Sequence, residues 1–264
     1  EIRDELGASA PKSACGSLEL RNLTFQYPNS RNPVLRNISV SVPAGTTLAI
    51  VGHTGSGKST FINLIPRLFD PPPGTLFLDG KDVRQWPLSE LRKNIGYVPQ
   101  ETFLFSDTIY QNIAFGCNDS VGDTQVDWAA RVSQMAEDIE TFSRKMQTYV
   151  GERGITLSGG QKQRVAISRA VATLPKILIF DDSLSNVDTY TEERILQELT
   201  KVMKDRTTIL VSHRISTVKN AQQIVVLKEG SIVEHGTHAS LMELRGVYAD
   251  LYQKQLLEEE LATI

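Results

Sequence analysis

Short apolar runs, many of them alternating with polar residues, dominate the first hundred positions. Alternation with a period of two is typical of a strand buried on one face, and a continuous apolar run indicates a strand buried on both faces. The segment 38–42 alternates strictly, 48–51 is continuously apolar, and 76–78 ends in Asp79-Gly80, a dipeptide typical of tight turns. Strands are therefore predicted at 18–27, 38–42, 48–51 and 76–78.

From about residue 101 to 172 the apolar residues recur at spacings of three and four, which indicates amphipathic helices. Beyond that point strand-like runs return on either side of a helical stretch, an order that predicts a βαβ unit and a parallel sheet. Helices are predicted at 108–115, 125–136, 162–173 and 191–203, and strands at 177–180 and 208–211. A hairpin is predicted at 224–234 around Glu229-Gly230, and a terminal amphipathic helix from Val247 onward.

Amino-acid composition and charge argue against several classes of function. The 264 residues carry 28 basic and 31 acidic side chains, a net charge of −3, which argues against a generally basic nucleic-acid-binding protein. No apolar run approaches the roughly 18–20 residues of a membrane span. The two cysteines and four histidines lack the spacing of zinc motifs, so two free thiols and no structural zinc are expected. A chain that begins at Glu1 is expected to be an excised fragment.

A glycine-rich segment follows the predicted strand 48–51 and precedes a helical pattern at 61–65. It matches G-x-x-x-x-G-K-[ST], a motif that requires this strand–loop–helix context. Glycines let the backbone curl so that N–H groups point at phosphate oxygens, and the helix adds the positive end of its dipole. We expect the lysine to reach the β- and γ-phosphates, the next serine to bind Mg²⁺ and the threonine to support the α-phosphate. The candidate residues are Thr54, Gly55, Ser56, Gly57, Lys58, Ser59 and Thr60.

Two carboxylates, Asp181 and Asp182, come directly after the predicted strand 177–180. In open α/β sheets, ligands bind at the edge where the strands end. A phosphate loop also needs a carboxylate to hold the hydration shell of magnesium. Asp181 is therefore predicted to lie on the magnesium side, and Asp182 to orient or deprotonate an attacking water.

The stretch Leu157-Ser158-Gly159-Gly160-Gln161 opens the predicted helix that leads into this strand. Together with the two preceding motifs it resembles the nucleotide-binding domain of ATP-binding cassette (ABC) transporters, over about residues 17–250. The resemblance implies an α/β P-loop NTPase fold with a RecA-like core, an antiparallel β subdomain and a helical subdomain. The implied boundaries are a linker at 1–16 from a missing transmembrane domain, a nucleotide-binding domain at 17–240 (core 17–100 and 173–240, helical subdomain 101–172) and C-terminal helices at 241–264.

Members of this family stack two cassettes head to tail around two ATP molecules. The resemblance therefore implies ATP and Mg²⁺ as cofactors, and places Ser158, Gly159, Gly160 and Gln161 against the γ-phosphate of the partner's ATP. Hydroxyl and amide donors at a helix N-terminus suit such a group.

The resemblance also implies roles for single residues at positions that match the family. Tyr27 is implied to stack on adenine, Val34 to support the base or ribose, Gln100 to touch magnesium and sense the membrane domain, and His213 to contact the γ-phosphate. The loop 185–188 is implied to cross the dimer interface. From residue type alone, a core-packed Tyr27, a solvated Gln100 and a structural His213 remain open alternatives.

The segment Glu152-Arg153-Gly154 resembles the part of exporter cassettes that contacts the membrane domain, and Gly236-Thr237-His238 is also similar to exporters. In exporters the transmembrane helices precede the cassette in the same polypeptide. The resemblance thus implies an ATPase that powers export, located at the cytoplasmic face of a membrane, with a transmembrane domain as partner.

The sequence departs from the family where the catalytic glutamate is expected, because Asp182 occupies that position. Aspartate keeps the charge but is one methylene shorter, and a misplacement of about 1 Å can cost on the order of 100-fold in rate. Aspartate here resembles the impaired subunit of heterodimeric exporters. One hypothesis is therefore a slow site in this chain, whose signature motif completes the site of a different chain carrying the glutamate. The other is a homodimer in which Asp182 works adequately.

Three other classes compete with an exporter ATPase. A soluble ABC ATPase of DNA repair or translation is disfavoured, because the motifs fit one compact cassette and no basic stripe is present, so no nucleic-acid partner is expected. An importer cassette would lack the segment 152–154. A non-hydrolytic regulatory domain that only binds ATP overlaps with the Asp182 hypothesis.

Overall fold

The structure is a computed structural model that describes residues 2–11, 13–117, 122–151, 156–212 and 215–262. It divides into two compact units. The first unit comprises Glu1–Asn94 and Thr207–Ile264, and the second comprises Ile95–Arg206. The subdomain boundaries implied by the family resemblance remain a prediction.

Strands and helices are interspersed along the chain. The strands are β1 Leu18–Phe25, β2 Leu35–Val42, β3 Thr47–Val51, β4 Leu76–Leu78, β5 Lys81–Asp82, β6 Ile95–Val98, β7 Ile177–Asp181, β8 Thr207–Val211, β9 Gln223–Lys228 and β10 Ser231–Gly236. The helices are α1 Lys58–Leu64, α2 Leu88–Lys93, α3 Ile109–Ala114, α4 Asp123–Val132, α5 Ala136–Thr141, α6 Gly159–Ala172, α7 Thr189–Met203, α8 Ile215–Val218, α9 His238–Leu244 and α10 Val247–Ala262. Short 3₁₀ turns form at Val83–Gln85 and Lys145–Gln147.

The first unit contains an antiparallel and a largely parallel arrangement of strands. The antiparallel sheet has the order β2-β1-β4-β5, and β2 alternates between buried and exposed residues as its sequence predicts. Strand β3 lies parallel to both β8 and β9, and β10 pairs antiparallel with β9. All five residues of β3 and of β8 are buried, which explains why their apolar runs, 48–51 and 209–211, are continuous rather than alternating with polar residues.

In the second unit, β6 and β7 form a parallel pair, with Val98 opposite Phe180. Helix α6 packs on β6, where Gly96 allows the close approach: a Cβ at this position would lie 2.6 Å from the Ala170 carbonyl oxygen. Helices α3 and α4 pack on α6, and the buried Ser168 hydroxyl meets that of Ser133 at 2.7 Å. The pair of parallel strands therefore carries a helical layer.

The predicted strands and helices are present with small shifts of their ends, with two corrections. The helix predicted at 125–136 ends at Val132, because Gln134 adopts a left-handed conformation (φ 58°) and a separate helix begins at Ala136. The terminal helix forms, but among its described side chains Leu256 and Leu257 are 41% and 60% exposed, so they do not share the buried face of Tyr248, and the expected amphipathic pattern is absent there. Strands β5 and β6 and helices α2, α5, α8 and α9 were not predicted.

The described residues before β1 form no helix or strand, yet they are hydrogen-bonded to the rest of the first unit. The Asp79 carboxylate accepts hydrogen bonds from the backbone N–H groups of Cys15, Gly16 and Ser17 at 2.8–3.2 Å. The Asp4 carboxylate accepts from the Leu88 N–H at 2.7 Å. The segment thus follows a defined path along the antiparallel sheet.

Within the described ranges, the structure holds no helix with the length and apolarity that a membrane crossing requires.

Candidate functional site

The loop between β3 and α1 curls tightly because three of its glycines adopt positive φ: Gly52 at 148°, Gly55 at 80° and Gly57 at 104°. A Cβ at Gly52 would lie under 3.0 Å from the Leu227 carbonyl oxygen, and one at Gly57 would lie 2.9 Å from a methyl group of Leu35. Two of the glycines are therefore required by close packing as well as by backbone conformation. The curl leaves His53, Thr54 and Gly55 exposed.

Lys58 begins α1 and is only 7% exposed. Its Nζ donates hydrogen bonds to the carbonyl oxygens of Gly52 at 2.7 Å and His53 at 3.0 Å, which holds the ammonium group against the first half of the loop. The first N–H groups of a helix have no acceptor within the helix. A buried cation and the N–H groups of a helix start at one loop form a site whose chemistry fits the phosphates of a nucleotide.

The two hydroxyl residues after Lys58 differ in exposure. Ser59 is exposed and available as a magnesium ligand. Thr60 is 7% exposed, and its hydroxyl lies 2.9 Å from the Tyr27 hydroxyl. Ser56 is also buried, and its Oγ finds no hydrogen-bond partner among the described residues. An orphaned hydroxyl inside the loop is consistent with a loop shaped for a polar ligand.

Tyr27 is half-buried and belongs to an aromatic cluster. Its ring meets those of Phe25 and Phe69 edge-on, with centroids 5.1 and 4.9 Å apart. Together with the bond to Thr60, this packing fixes the Tyr27 ring beside the helix that follows the phosphate loop. Val34 is half-buried on the same unit, and its N–H donates to the Phe25 carbonyl at 2.8 Å. The structure thus brings Tyr27 next to Thr60 of the predicted phosphate site, and its contact with adenine stays a prediction.

In the second unit, the predicted magnesium residues follow neighbouring strands. Asp181 ends β7 and is 6% exposed, whereas Gln100 is exposed just after β6, the parallel neighbour of β7. Because parallel strands end at the same edge, both residues belong to one edge of this pair. Burial, and secondarily the charge of Asp181, raise the pKa of Tyr97, so this phenol stays neutral beside the carboxylate.

Asp182 is half-buried and left-handed, with φ 45°. Its carbonyl oxygen accepts a hydrogen bond from the Ser185 N–H at 3.3 Å. Aspartate tolerates left-handed φ better than most residues with a Cβ. The backbone conformation at this position therefore suits an aspartate.

The stretch 157–161, which we call the signature segment, leads into α6 and forms a capping box at its start. The Ser158 hydroxyl accepts from the Gln161 N–H at 3.2 Å, and the Gln161 side-chain oxygen accepts from the Ser158 N–H at 3.0 Å. Ser158 and Gly159 are exposed. The start of α6 thus presents a hydroxyl and helix N–H groups on the surface, in keeping with the predicted contact with a partner's phosphate.

Two residues that the sequence did not single out hold this segment in place. Asp138 accepts from Gln161 Nε2 and from Arg164, each at 2.7 Å. Gln163 is fully buried, and its side-chain oxygen accepts from the Asn186 N–H at 3.1 Å, which ties α6 to the loop 185–188. No local motif marks either residue, because each acts on a segment more than twenty positions away.

His213 and the segment 152–154 lie outside the described residues, so their predicted roles remain predictions.

The model of the family described as ABC transporter matches residues 35–185, more than half of the chain. The chain belongs to the ABC transporter family. Membership confirms the predicted α/β P-loop NTPase fold and the assignment to ABC-type ATPases, and it implies ATP binding.

Similar proteins include two lipid A-core flippases described as ATP-dependent. One, from Methylococcus capsulatus, is 45% identical over 94% of this chain and 41% of its own length. The other, from Escherichia coli K12, is 43% identical over 96% of this chain and 43% of its own length. A solved bacterial Atm1-family ABC exporter with ATP bound matches with a TM-score of 0.92 and 40% identity, over 97% of this chain and 45% of the exporter. The chain spans less than half the length of these relatives.

Proposed function

We propose that this ABC transporter chain is the ATP-hydrolysing module of a membrane exporter. The phosphate loop carries the proposal, because Lys58 and the start of α1 gather a cation and N–H donors at one curled backbone. The similar proteins support the exporter branch, since two are named flippases and one is titled an ABC exporter with ATP bound.

Each part of the nucleotide has an assigned set of residues. Residues 54–60 bind the phosphates, with Lys58 at the β- and γ-phosphates, and Tyr27 and Val34 contact the adenosine. The residues proposed to bind Mg²⁺ are Ser59, Asp181 and Gln100. When bound, Mg²⁺ neutralises charge on the phosphate oxygens.

Hydrolysis requires a positioned water, and we assign that task to Asp182, with His213 at the γ-phosphate. Ser158, Gly159, Gly160 and Gln161 contact ATP held by a second cassette. ATP then forms part of the interface, and its hydrolysis releases the two cassettes.

The site of this chain is proposed to be slow. The side chain of Asp182 is one methylene shorter than that of glutamate. Its backbone is left-handed, which sets the direction in which the short side chain leaves the chain. A partner chain with the glutamate would then provide the fast site, completed by the signature motif of this chain. The competing proposal is a homodimer with a working Asp182.

An exposed aromatic surface supports docking of a membrane domain at the cytoplasmic side. Phe103, Phe105 and Phe115 are 68%, 37% and 55% exposed, and Arg169 lies 5.5 Å from the Phe105 ring centroid. Large aromatic side chains grouped at a surface are typical of protein interfaces. We therefore propose that this surface contacts the transmembrane partner.

Steady-state Mg-ATP hydrolysis across protein concentration, for wild type and Asp182→Glu, tests the proposal. An impaired half predicts a nearly inactive wild type and a glutamate variant whose activity rises steeply with concentration. A wild type that already shows second-order activity, with little gain from glutamate, would favour the homodimer. Absence of Mg-ATP binding by wild type would contradict the proposed function itself.

A further inference from the structure

The turn between β9 and β10 lies against the phosphate loop. It consists of Glu229 and Gly230, with φ values of 50° and 80°. Glu229 is exposed, whereas Gly230 is buried. The sequence marks these two residues only as a hairpin turn, which leaves the burial of Gly230 unexplained.

The backbone of Gly230 is bonded on both sides. Its N–H donates to the carbonyl oxygen of Ser56 in the phosphate loop at 3.1 Å. Its carbonyl oxygen accepts from the N–H of Arg36, at the start of β2, at 2.7 Å. Gly230 therefore connects the second half of the phosphate loop to β2.

Packing around Gly230 leaves no room for a side chain. A Cβ at this position would lie under 3.0 Å from the Val34 carbonyl oxygen and 3.4 Å from the Leu35 Cα. On the loop side, the Gly230 Cα lies 3.8 Å from the place a Cβ would occupy on Gly57. The turn, the loop and the start of β2 are thus in direct backbone contact.

We propose that Gly230 is a positioning residue for the phosphate site. Lys58 holds the first half of the loop through the carbonyls of Gly52 and His53, and Gly230 holds the second half through Ser56. The second half leads into α1, so a displaced turn moves the N–H groups that receive the phosphates. This inference rests on the proposed ATP site.

The same chain offers a matched control turn. Asp79 and Gly80, between β4 and β5, have φ values of 51° and 75°, close to those of Glu229 and Gly230. Gly80 is exposed, and a Cβ there would meet no atom of the described residues within 4 Å. The two glycines share a backbone conformation and differ in what surrounds them.

The experiment compares Gly230→Asn with Gly80→Asn. Asparagine tolerates left-handed φ, so backbone strain is small in both variants, and only the Cβ at position 230 meets a carbonyl oxygen. Dissociation constants for Mg-ATP and for tripolyphosphate, which lacks the base, are measured together with the Tm of each variant without ligand.

For Gly230→Asn, both dissociation constants should rise about tenfold, which corresponds to about 1.4 kcal/mol. For Gly80→Asn they should stay within about twofold of wild type. Unchanged affinity in a folded Gly230→Asn protein would overturn the inference. A wild type that does not bind Mg-ATP would contradict the proposed function instead.

If Gly230→Asn does not fold, hydrogen exchange of the wild-type protein provides the test. The Gly230 amide should exchange more slowly when Mg-ATP is bound, because the ligand stabilises the loop that accepts its hydrogen bond. The Gly80 amide should show no such change. Equal behaviour of the two amides would overturn the inference.

Discussion

Lys58 serves two roles at the phosphate loop. Its buried ammonium group bonds two loop carbonyls, which holds the loop in its curled form, and we propose that it also supplies the positive charge that phosphates need. A hydrogen bond that involves a charged group contributes about 1.5–3 kcal/mol.

Replacement of Lys58 by alanine should therefore weaken Mg-ATP binding by about 100-fold, measured by competition with a fluorescent nucleotide. Lys228→Ala is the control, because it removes the same charge from an exposed position of the same unit. Similar affinity in the two variants would contradict a phosphate role for Lys58.

Tyr27 presents a ring and a hydroxyl with separable tasks. The hydroxyl bonds Thr60, whereas the ring is the predicted adenine contact. Stacking of a base on an aromatic ring contributes about 1–3 kcal/mol, so Tyr27→Ala should weaken ATP binding about tenfold or more. Tyr27→Phe keeps the ring and should bind ATP within about threefold of wild type.

Tripolyphosphate binding is the check on this assignment. It should be nearly unchanged in both Tyr27 variants, because the ligand has no base. An equal loss of affinity for ATP and tripolyphosphate would show that Tyr27 acts through the loop rather than through adenine.

At the scale of elements, the start of α6 depends on Asp138 from α5. This carboxylate bonds the Gln161 side chain and forms a partly buried ion pair with Arg164, whose Nε is buried and finds no hydrogen-bond partner among the described residues. Loss of Asp138 leaves a partly buried guanidinium without its counter-ion, a change that destabilises proteins.

We expect Asp138→Ala to lower the Tm by several degrees and to reduce concentration-dependent ATPase activity at least tenfold, measured in the Asp182→Glu background. Affinity for Mg-ATP should stay within about twofold, because Asp138 contacts the signature segment and not the phosphate loop. The neighbouring Glu137→Ala breaks only an exposed pair with Arg194 and should change little. Loss of ATP binding in Asp138→Ala would mean a general folding defect.

Strands and helices were predicted correctly where the apolar pattern of the sequence is regular. They were missed where a tertiary contact interrupts that pattern. The strands β3 and β7 were recognised from the continuous apolar runs 48–51 and 177–180, which are buried in the structure. Strand β6 was missed because Gly96 interrupts its apolar pattern, where it makes room for the Ala170 carbonyl. The break at Gln134 was missed because the helical spacing of apolar residues continues on both sides of it.

For the whole molecule, ligand binding and stability are linked. A ligand present at 100 times its dissociation constant stabilises the folded state by about 2.7 kcal/mol. For a chain of this length we expect Mg-ATP to raise the Tm by about 5–10 °C. The measurement is a thermal unfolding scan at saturating Mg-ATP.

Removal of magnesium with EDTA should make this stabilisation smaller, because Ser59, Asp181 and Gln100 then lose the cation they are proposed to hold. The Lys58→Ala variant should show almost no rise at the same ATP concentration. A rise equal to that of wild type in Lys58→Ala would place the ligand elsewhere.

The sequence alone determined the class of this protein and marked the motifs of its candidate site. A phosphate loop, a strand that ends in carboxylates and a helix start are local features, because their geometry depends on consecutive residues. The motifs from Gly52 to Thr60, at Asp181-Asp182 and from Ser158 to Gln161 could therefore be read directly.

Only the tertiary structure decided which residues support those motifs. Gly230 meets Ser56 and Asp138 meets Gln161 across long stretches of chain, through backbone packing and paired side chains that no local period records. The burial of Gln163 and the path of residues before β1 are of the same kind. Such contacts depend on where folding brings distant segments together, and that position follows from the packing of the whole core.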